Sequence, residues 1–308
     1  MPRGADALIP RSVRLAMLTI VGLTALALPR EASACATCGA ADPTLTALGV
    51  EQPFEGRFRL SGTLSHSSYA IGRPDLDRVE VADQRAELGL SYAPLDWLTF
   101  SVLAPLVWRE VAYANLAHDR TLGLGDTNIG ARAVFFRDRP VAPEHLLSAT
   151  VGLDLPTTIP LRGPDGLLLP VDAQPGRGAF APSLGVGWSY FGGLFSSHLW
   201  FVGRRDFEGI GGLANGFSGL VRYTAQLQPL SELAFLLGAD LRFNEHPAIA
   251  GTHLQEGGGV LLFLSPGIVV APITDLLLRA QARIPLVGWL AGGHWEGPTF
   301  ELAVIGDL

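Results

Sequence analysis

Two cysteines, Cys35 and Cys38, have the spacing of a reactive or cross-linked pair. In an oxidising compartment, two thiols at this spacing are most simply a small-loop disulfide or two unreacted thiols. Covalent haem attachment is excluded because Gly39, not a histidine, follows Cys38. Half of a soft-metal site and a lipid attached to Cys35 are the alternatives, although no histidine lies close by to complete four metal ligands. The pair is therefore a disulfide candidate, and the sequence indicates neither a metal site nor a cofactor.

His66 and Ser68, in "SHSSYA", are the second candidate pair, since residues two apart share one face of an extended segment. A serine beside a histidine can act as a nucleophile when a third group orients the imidazole. This spacing resembles that of the outer-membrane phospholipase, a twelve-stranded barrel, and implies a lipid hydrolase as an alternative function. In the phospholipase an asparagine follows the serine, whereas Tyr69 follows here, and no orienting residue is identifiable. The sequence therefore predicts a protein that is not an enzyme.

Charged side chains at alternate positions of extended segments are the third set with a chemical role. Arginine cannot be deprotonated, so a belt of arginines around a narrow passage would act as a fixed electrostatic filter. Ion pairs that lock the wall and close the passage are the alternative. The candidates for lining or selecting are Arg59, Arg85, Glu87, Arg132, Arg222, Asp240, Arg242, Arg279 and Arg283.

The segments that carry these charges alternate strictly between apolar and polar residues. In "LAFLLGADLRFN", Leu233, Phe235 and Leu237 share one face, while Asp240 and Arg242 lie on the other. Such a period of two predicts strands, and runs of about ten residues have the length of strands that cross a membrane at a tilt. An arginine on the lipid face would cost roughly 2–4 kcal/mol at mid-depth, so the charged face is expected to line a lumen.

Twelve such runs are expected, and short and long connections alternate between them. This arrangement predicts an all-β fold, a closed antiparallel transmembrane β-barrel of about twelve strands with short periplasmic turns and longer external loops. The longest loop, 158–178, carries three successive leucines and is expected to enter the barrel mouth or to pack on neighbouring loops. The runs begin near residues 56, 81, 97, 123, 144, 179, 194, 216, 231, 257, 274 and 295.

The N-terminus has the pattern of an export signal. Basic residues precede an apolar stretch from Leu15 to Leu28, and Ala32-Ser33-Ala34 follows as a cleavage site. We therefore expect a signal peptide over 1–34, a periplasmic segment over 35–55 that is a leader or a plug, and the barrel over 56–308. A net charge of −7 excludes nucleic acid as an obvious partner. The expected location is the bacterial outer membrane, with its lipid and a small solute as partners; the sequence leaves the oligomeric state open.

The segment "LGLGDTNIGARAVFFRD", Leu122–Asp138, resembles the Gly-Leu-Gly-Asp signature of a family of outer-membrane barrels. It is the transporter family named after the phenol meta-cleavage pathway, and the turn at Pro94–Leu98 is similar to that family's hairpins. The resemblance covers roughly Gly56 to Leu308 and implies a channel for small, often hydrophobic molecules. A structural surface barrel that does not conduct is the remaining alternative. The chain departs from common barrels by ending in Leu308 rather than in an aromatic residue.

Overall fold

The computed structural model describes residues 55–72, 77–140, 142–254, 258–291 and 294–308. These residues form a closed antiparallel barrel of twelve strands, as predicted. The barrel closes because the first strand, β1 (Phe58–Ile71), pairs with β2 (Val79–Leu95) on one side and with the last strand, β17 (Thr299–Asp307), on the other. Closure leaves no open sheet edge, which is the condition for a sheet to lie in hydrocarbon.

Eleven of the twelve wall strands are continuous, and the fourth is divided into β4 and β5. Register follows the chain order, so each strand pairs with the one before and the one after it. The wall strands are β1 (Phe58–Ile71), β2 (Val79–Leu95), β3 (Leu98–Tyr113), β4 (His118–Leu124) with β5 (Thr127–Arg137), β6 (His145–Leu155), β7 (Ala181–Gly192), β8 (Phe195–Asp206), β10 (Gly216–Leu230), β11 (Leu233–Asn244), β14 (Gly259–Ile273), β15 (Leu276–Leu290) and β17 (Thr299–Asp307).

Short strands and two turns of 3-10 helix lie among the long connections. β9 (Leu213–Ala214), β12 (Ala248–Ile249) and β13 (Thr252–His253) form a separate three-stranded sheet. β16 (Trp295–Glu296) pairs with β1 just before the last wall strand. The 3-10 turns are η1 (Val171–Ala173) and η2 (Ile210–Gly212). Among the described residues, no helix has the length and apolar character needed to cross a membrane.

The two faces of the wall have opposite chemistry. On β11, Phe235, Leu237 and Leu241 are 44–55 % exposed on the outside, while Ala234 and Asp240 are buried on the inside. Aromatic rings pair near both ends of the barrel, as Phe58 with Tyr92 (4.5 Å) and Phe217 with Phe243 (6.4 Å). An apolar belt flanked by aromatic residues is typical of membrane barrels. The same belt includes Leu88, Phe100, Leu184, Phe201 and Leu302.

Candidate solute pathway in the lumen

A row of five residues in hydrogen-bonding register crosses the inner wall at mid-barrel, and we call it the central rung. Gly187 on β7 pairs with Trp200 on β8, Trp200 with Arg222 on β10, Arg222 with Asp240 on β11, and Asp240 with Phe263 on β14. All four side chains of the rung are at least nine-tenths buried. Gly187 is required beside Trp200 because a Cβ there would lie 2.4 Å from indole Cε2.

Asp240 is the shared acceptor of this rung. Arg222 Nε donates to its Oδ1 at 2.8 Å, and Arg222 Nη2 donates to its Oδ2 at 3.1 Å. Arg283 Nε, on β15, donates to the same Oδ2 at 3.1 Å, and Ser265 Oγ contacts it at 3.3 Å. A buried carboxylate is stable only when its oxygens are satisfied in this way. Asp240 therefore links two cationic side chains of the wall.

Phe263 lies between two guanidinium groups. The Cζ atom of Arg283 is 4.8 Å from the centre of the ring, and that of Arg242 is 5.4 Å from it. Both side chains keep part of their surface accessible, 22 % for Arg283 and 27 % for Arg242. Arg242 also binds Glu296 of β16. These two arginines are cations beside the central rung whose side chains keep accessible surface.

The structure places the other predicted lumen residues around this centre. Arg279 is buried and donates to Glu301 at 3.0 Å, and Arg59 donates to Asp307 at 2.7 Å near the end of the barrel with short turns. Arg85 and Glu87 form a more accessible pair on β2, at 2.7 Å. Arg132 lies on the opposite sector, with its Cζ atom 5.5 Å from the centre of the Trp200 ring. The predicted set therefore surrounds the lumen rather than forming one compact site.

The mouth at the end with long loops is narrowed by residues 156–180, which fold into the barrel. Gln174 is buried and binds Leu161 and Leu169 of its own loop through its amide. Arg109 donates to the carbonyl oxygen of Gln174 at 2.7 Å, and Thr121 donates to that of Ala173 at 2.7 Å. This loop was expected either to enter the mouth or to pack on its neighbours, and it enters the mouth.

Asp126, the acid of the "GLGD" stretch, holds the other arm of the loop. Its carboxylate accepts backbone N–H groups from Thr158, Arg177 and Gly178 at 2.8–3.3 Å. The wall strand is interrupted here, between β4 and β5, and this break turns the carboxylate toward the loop. The "GLGD" stretch therefore marks a structural feature, in which the carboxylate of Asp126 anchors the loop.

Asp172 is one titratable group of the docked loop whose pKa is affected by burial. Burial raises its pKa above the ordinary value, and the neighbouring Arg109 opposes that shift. At the opposite end of the barrel, the exposed turn residue Asp138 behaves in the contrary way. Backbone N–H groups of His145 and Glu144 hold the pKa of Asp138 below its ordinary value. The loop therefore contains a carboxyl group whose neutral form is favoured by docking.

An apolar cluster lines the lumen toward the end with short turns. It is formed by Ala234 and Leu236 of β11, Val269 and Ala271 of β14, Leu277 of β15, and Ala303 and Ile305 of β17. The lumen wall thus changes from polar at mid-barrel to apolar on this sector.

The candidate His66–Ser68 pair does not join this pathway, and the candidate thiol pair lies outside the described residues. His66 and Ser68 lie on β1 at positions of outward parity, and among the described residues no hydrogen bond links them to each other or to a carboxylate. Ser68 instead accepts the backbone N–H of Gly297 through its carbonyl oxygen, at 2.8 Å. Cys35 and Cys38, with the leader or plug segment 35–55, lie outside the described residues except for Glu55. Over the described ranges, no cluster of three or more metal-ligating residues occurs.

Sequence reasoning missed three contributors to the pathway, namely Trp200, Phe263 and Gln174. Trp200 and Phe263 are large apolar residues inside the lumen, where the alternation rule expects polar ones. Parity along β8 and β14 would have placed them inward, but residue type alone assigns them to lipid. Gln174 carried no signal, since a loop amide at a distance from any strand has no periodic context.

Neither a family model nor a curated protein sequence matches this chain. Its fold is similar to the COG4313 outer membrane channel from Pseudomonas putida F1, with a TM-score of 0.66 and 15 % identity over 84 % of this chain and 97 % of that one. The transport unit of the autotransporter AIDA-I from Escherichia coli (0.49, 10 %, 97 % and 99 %) and the CymD monoaromatic hydrocarbon channel (0.42, 10 %, 82 % and 88 %) superpose more loosely. At these identities the likeness shows the outer-membrane barrel fold alone. Membership of the phenol meta-cleavage family stays a prediction.

Proposed function

We propose that the protein is an outer-membrane channel through which small solutes, apolar or anionic, pass by diffusion. The observation that carries the proposal is the central rung. Arg222 and Asp240 are buried inside the barrel, while the outer face is apolar. Charged side chains inside a barrel of this size act on whatever enters the lumen, because the surrounding dielectric is low.

Two further observations support this choice of solute. The side chains of Arg242 and Arg283 keep accessible surface in the lumen, and their positive charges favour anionic or strongly polar groups. The cluster around Leu236 and Ile305 makes the inner wall apolar toward the end with short turns. The similarity to a solved outer-membrane channel, at a TM-score of 0.66, agrees with this proposal.

A structural barrel that does not conduct is the second candidate, and one observation favours it. The inward loop is held by Asp126, Arg109 and Thr121, and these contacts narrow the mouth. If the loop stays docked at all times, the polar wall serves only to lock the barrel.

Planar-bilayer recordings separate the two candidates. The mature protein, extracted from outer-membrane fractions and checked for a heat-modifiable band, is inserted from detergent into a bilayer. A channel gives discrete conductance steps and, in a KCl gradient, a reversal potential displaced toward the anion. Detergent alone is the blank, and boiled protein is the control for unfolded material. Folded protein that inserts without any conductance, or that is recovered from the soluble periplasm, contradicts the proposal.

A further inference from the structure

A groove of about 430 Å³ opens on the barrel wall at the end with long loops, and we call it the rim groove. Ala82 of β2, Ala112 of β3 and Trp295 of β16 are among the residues that line it. The two alanines have the same parity along their strands as Leu88 and Leu106, which lie on the apolar outer face and are 54 % and 43 % exposed. The rim groove therefore lies on the outer surface of the barrel rather than in the lumen.

The rim groove adjoins the apolar belt. Glu110 lines the groove and is two residues beyond Trp108 on β3, so the two side chains lie on one face and their Cα atoms are about 7 Å apart. Trp108 pairs with Leu122, and in the next outward row Leu106 pairs with Leu124, which is 55 % exposed. Tryptophan is enriched where a membrane meets water, and the long loops of bacterial barrels face the outside. The rim groove is thus at the level of the lipid headgroups of the outer leaflet.

Two exposed ion pairs border the rim groove. Arg78 Nε is 2.8 Å from a carboxylate oxygen of Glu80, and Arg120 Nε is 3.2 Å from one of Glu110. All four side chains are 38–70 % exposed, and ion pairs of this kind contribute little to stability, so a ligand can replace either partner at small cost. Guanidinium groups only donate hydrogen bonds and carboxylates only accept them. Hydroxyl groups, which do both, match this mixed border, whereas the two carboxylates would repel a bare phosphate.

Trp295 adds a flat apolar surface beside these polar groups. Its side chain is 54 % exposed, and the negative face of an aromatic ring attracts C–H groups that pack on it. A sugar ring has both features that this arrangement matches, an apolar C–H face and a rim of hydroxyl groups. The groove and the belt are continuous along β3 and β4, so acyl chains attached to such a sugar would extend onto Leu122 and Leu124. This continuity favours a lipid-linked sugar over a free one.

We propose that the rim groove binds the sugar headgroup of a glycolipid in the outer leaflet of the outer membrane. The sugar ring packs on Trp295 over the two alanines. Its hydroxyl groups accept from Arg78 and Arg120 and donate to Glu80 and Glu110. The proposal depends on the outer-membrane location of the barrel and not on conduction through it.

Native mass spectrometry of the full mature protein tests this site, because it counts the lipid molecules that stay bound when detergent is removed. The protein is purified in an oxyethylene detergent, which carries no sugar. The probe is tetra-acylated lipid A, and its match is cardiolipin, which has the same number of phosphates and acyl chains but no sugar ring. Glucosamine 1-phosphate, a sugar phosphate without acyl chains, serves as the competitor. We expect lipid A to be retained more tightly than cardiolipin and not to be displaced by the competitor.

Two variants locate the bound lipid. Trp295→Leu keeps an apolar side chain but removes the flat ring, and we expect it to weaken lipid A binding about tenfold, as the loss of a central aromatic contact does. Trp289→Leu is its control, since Trp289 is 71 % exposed on β15 and does not line the rim groove. Ala112→Leu should weaken binding by filling the groove, whereas Ala104→Leu, on the same face of β3 within the belt, should not.

Equal retention of lipid A and cardiolipin would overturn the site, because the apolar belt alone would then hold the lipid. Displacement of lipid A by glucosamine 1-phosphate would also overturn it and assign the groove to a free sugar phosphate. Unchanged lipid A binding by Trp295→Leu or by Ala112→Leu would place the lipid elsewhere on the barrel. The heat-modifiable band of each variant verifies folding. None of these outcomes depends on conductance, so the proposed channel function is tested separately.

Discussion

Arg222 and Asp240 face each other across β10 and β11 as directly paired residues, with two hydrogen bonds of 2.8 and 3.1 Å between their side chains. Their side chains are 7 % and 1 % exposed, so water screens this ion pair very little. Arg283 reaches the same carboxylate from β15, two wall strands further on. Asp240 is thus the point at which three wall strands are joined by charge.

Removing this shared carboxylate should destabilise the barrel strongly. Asp240→Asn leaves two guanidinium groups without their ionised acceptor, and breaking a buried pair costs about 3–5 kcal/mol. Urea unfolding of the detergent-solubilised protein, followed by tryptophan fluorescence, measures the change in free energy of unfolding. Glu80→Gln is the matched control, because Glu80 pairs with Arg78 on an exposed surface and should contribute less than about 1 kcal/mol. Equal losses of unfolding free energy in the two variants would show that the buried ion pair stabilises the barrel no more than the exposed one does.

The outward face of β11 gives a second test, of orientation in the membrane. Leu237 is 55 % exposed at mid-strand, so Leu237→Arg should place a charge in lipid and cost about 2–4 kcal/mol. Assembly is measured as the heat-modifiable fraction after folding into lipid vesicles. Leu237→Ala is the control for lost packing and should assemble nearly as the unaltered protein does. If both variants assemble equally well, Leu237 does not face lipid.

The strand pattern was predictable because each alternating run satisfies two solvents at once, lipid outside and a polar lumen inside. Ten of the twelve wall strands begin within two residues of the predicted start. The first three, for example, are predicted near residues 56, 81 and 97 and begin at Phe58, Val79 and Leu98. The fourth begins earlier, at His118, and the last later, at Thr299, because a strand break and the short β16 interrupt the alternation there.

The lumen contents were harder to predict, since they depend on contacts between distant segments. On the lumen face of β11, for example, a Cβ at Gly238 would lie 3.2 Å from Cβ of Ser265, a tight contact that strand periodicity does not predict. The inward loop and the partners of Asp126 are likewise set by tertiary packing. Periodicity predicts which face of a strand a residue lies on. It does not predict which side chains or loops fill the lumen beside that face.

Releasing the inward loop should widen the mouth. Asp126→Ala removes the acceptor of three backbone N–H groups, from Thr158, Arg177 and Gly178. We expect larger and noisier single-channel conductance, because the loop then leaves its docked position more often. Asp138→Ala is the control, since Asp138 also accepts backbone N–H groups, but in a turn at the opposite end. Unchanged conductance in Asp126→Ala, with the fold intact, would mean that the loop does not limit passage.

The same loop should respond to pH through Asp172. Its pKa is raised in the docked loop, so docking favours the protonated form. That contribution is fully present below the ordinary aspartate pKa of about 4 and is lost as pH rises through the raised value. Conductance should therefore fall as pH is lowered from 7 toward 4. Asp172→Asn should flatten this dependence, whereas Asp165→Asn, at the exposed loop tip, should leave it in place. A profile that Asp172→Asn does not change would assign the response to another group.

Charge selection should depend on the two arginines that flank Phe263. Arg242 and Arg283 are better targets than Arg279, because Arg279 is buried against Glu301, whereas Asp240 keeps Arg222 as a partner when Arg283 is replaced. Their side chains are 27 % and 22 % exposed, and the Cζ atom of each lies within 5.4 Å of the centre of the Phe263 ring. Their field therefore acts on the part of the lumen that a solute can occupy.

Replacing these two arginines by glutamine should move the reversal potential toward the cation. The double variant Arg242→Gln and Arg283→Gln removes two fixed positive charges but keeps side chains that can still hydrogen-bond. The negative charges of Asp240 and Glu296 are then balanced by fewer arginines. Bilayer recordings in a tenfold KCl gradient measure the shift, and raising the salt on both sides should reduce it, because mobile ions screen accessible charges. Arg205→Gln is the control for net charge, since Arg205 binds Glu245 on an exposed surface. If the reversal potential moves equally in the double variant and in Arg205→Gln, or in neither of them, then Arg242 and Arg283 do not determine the charge selectivity of the channel.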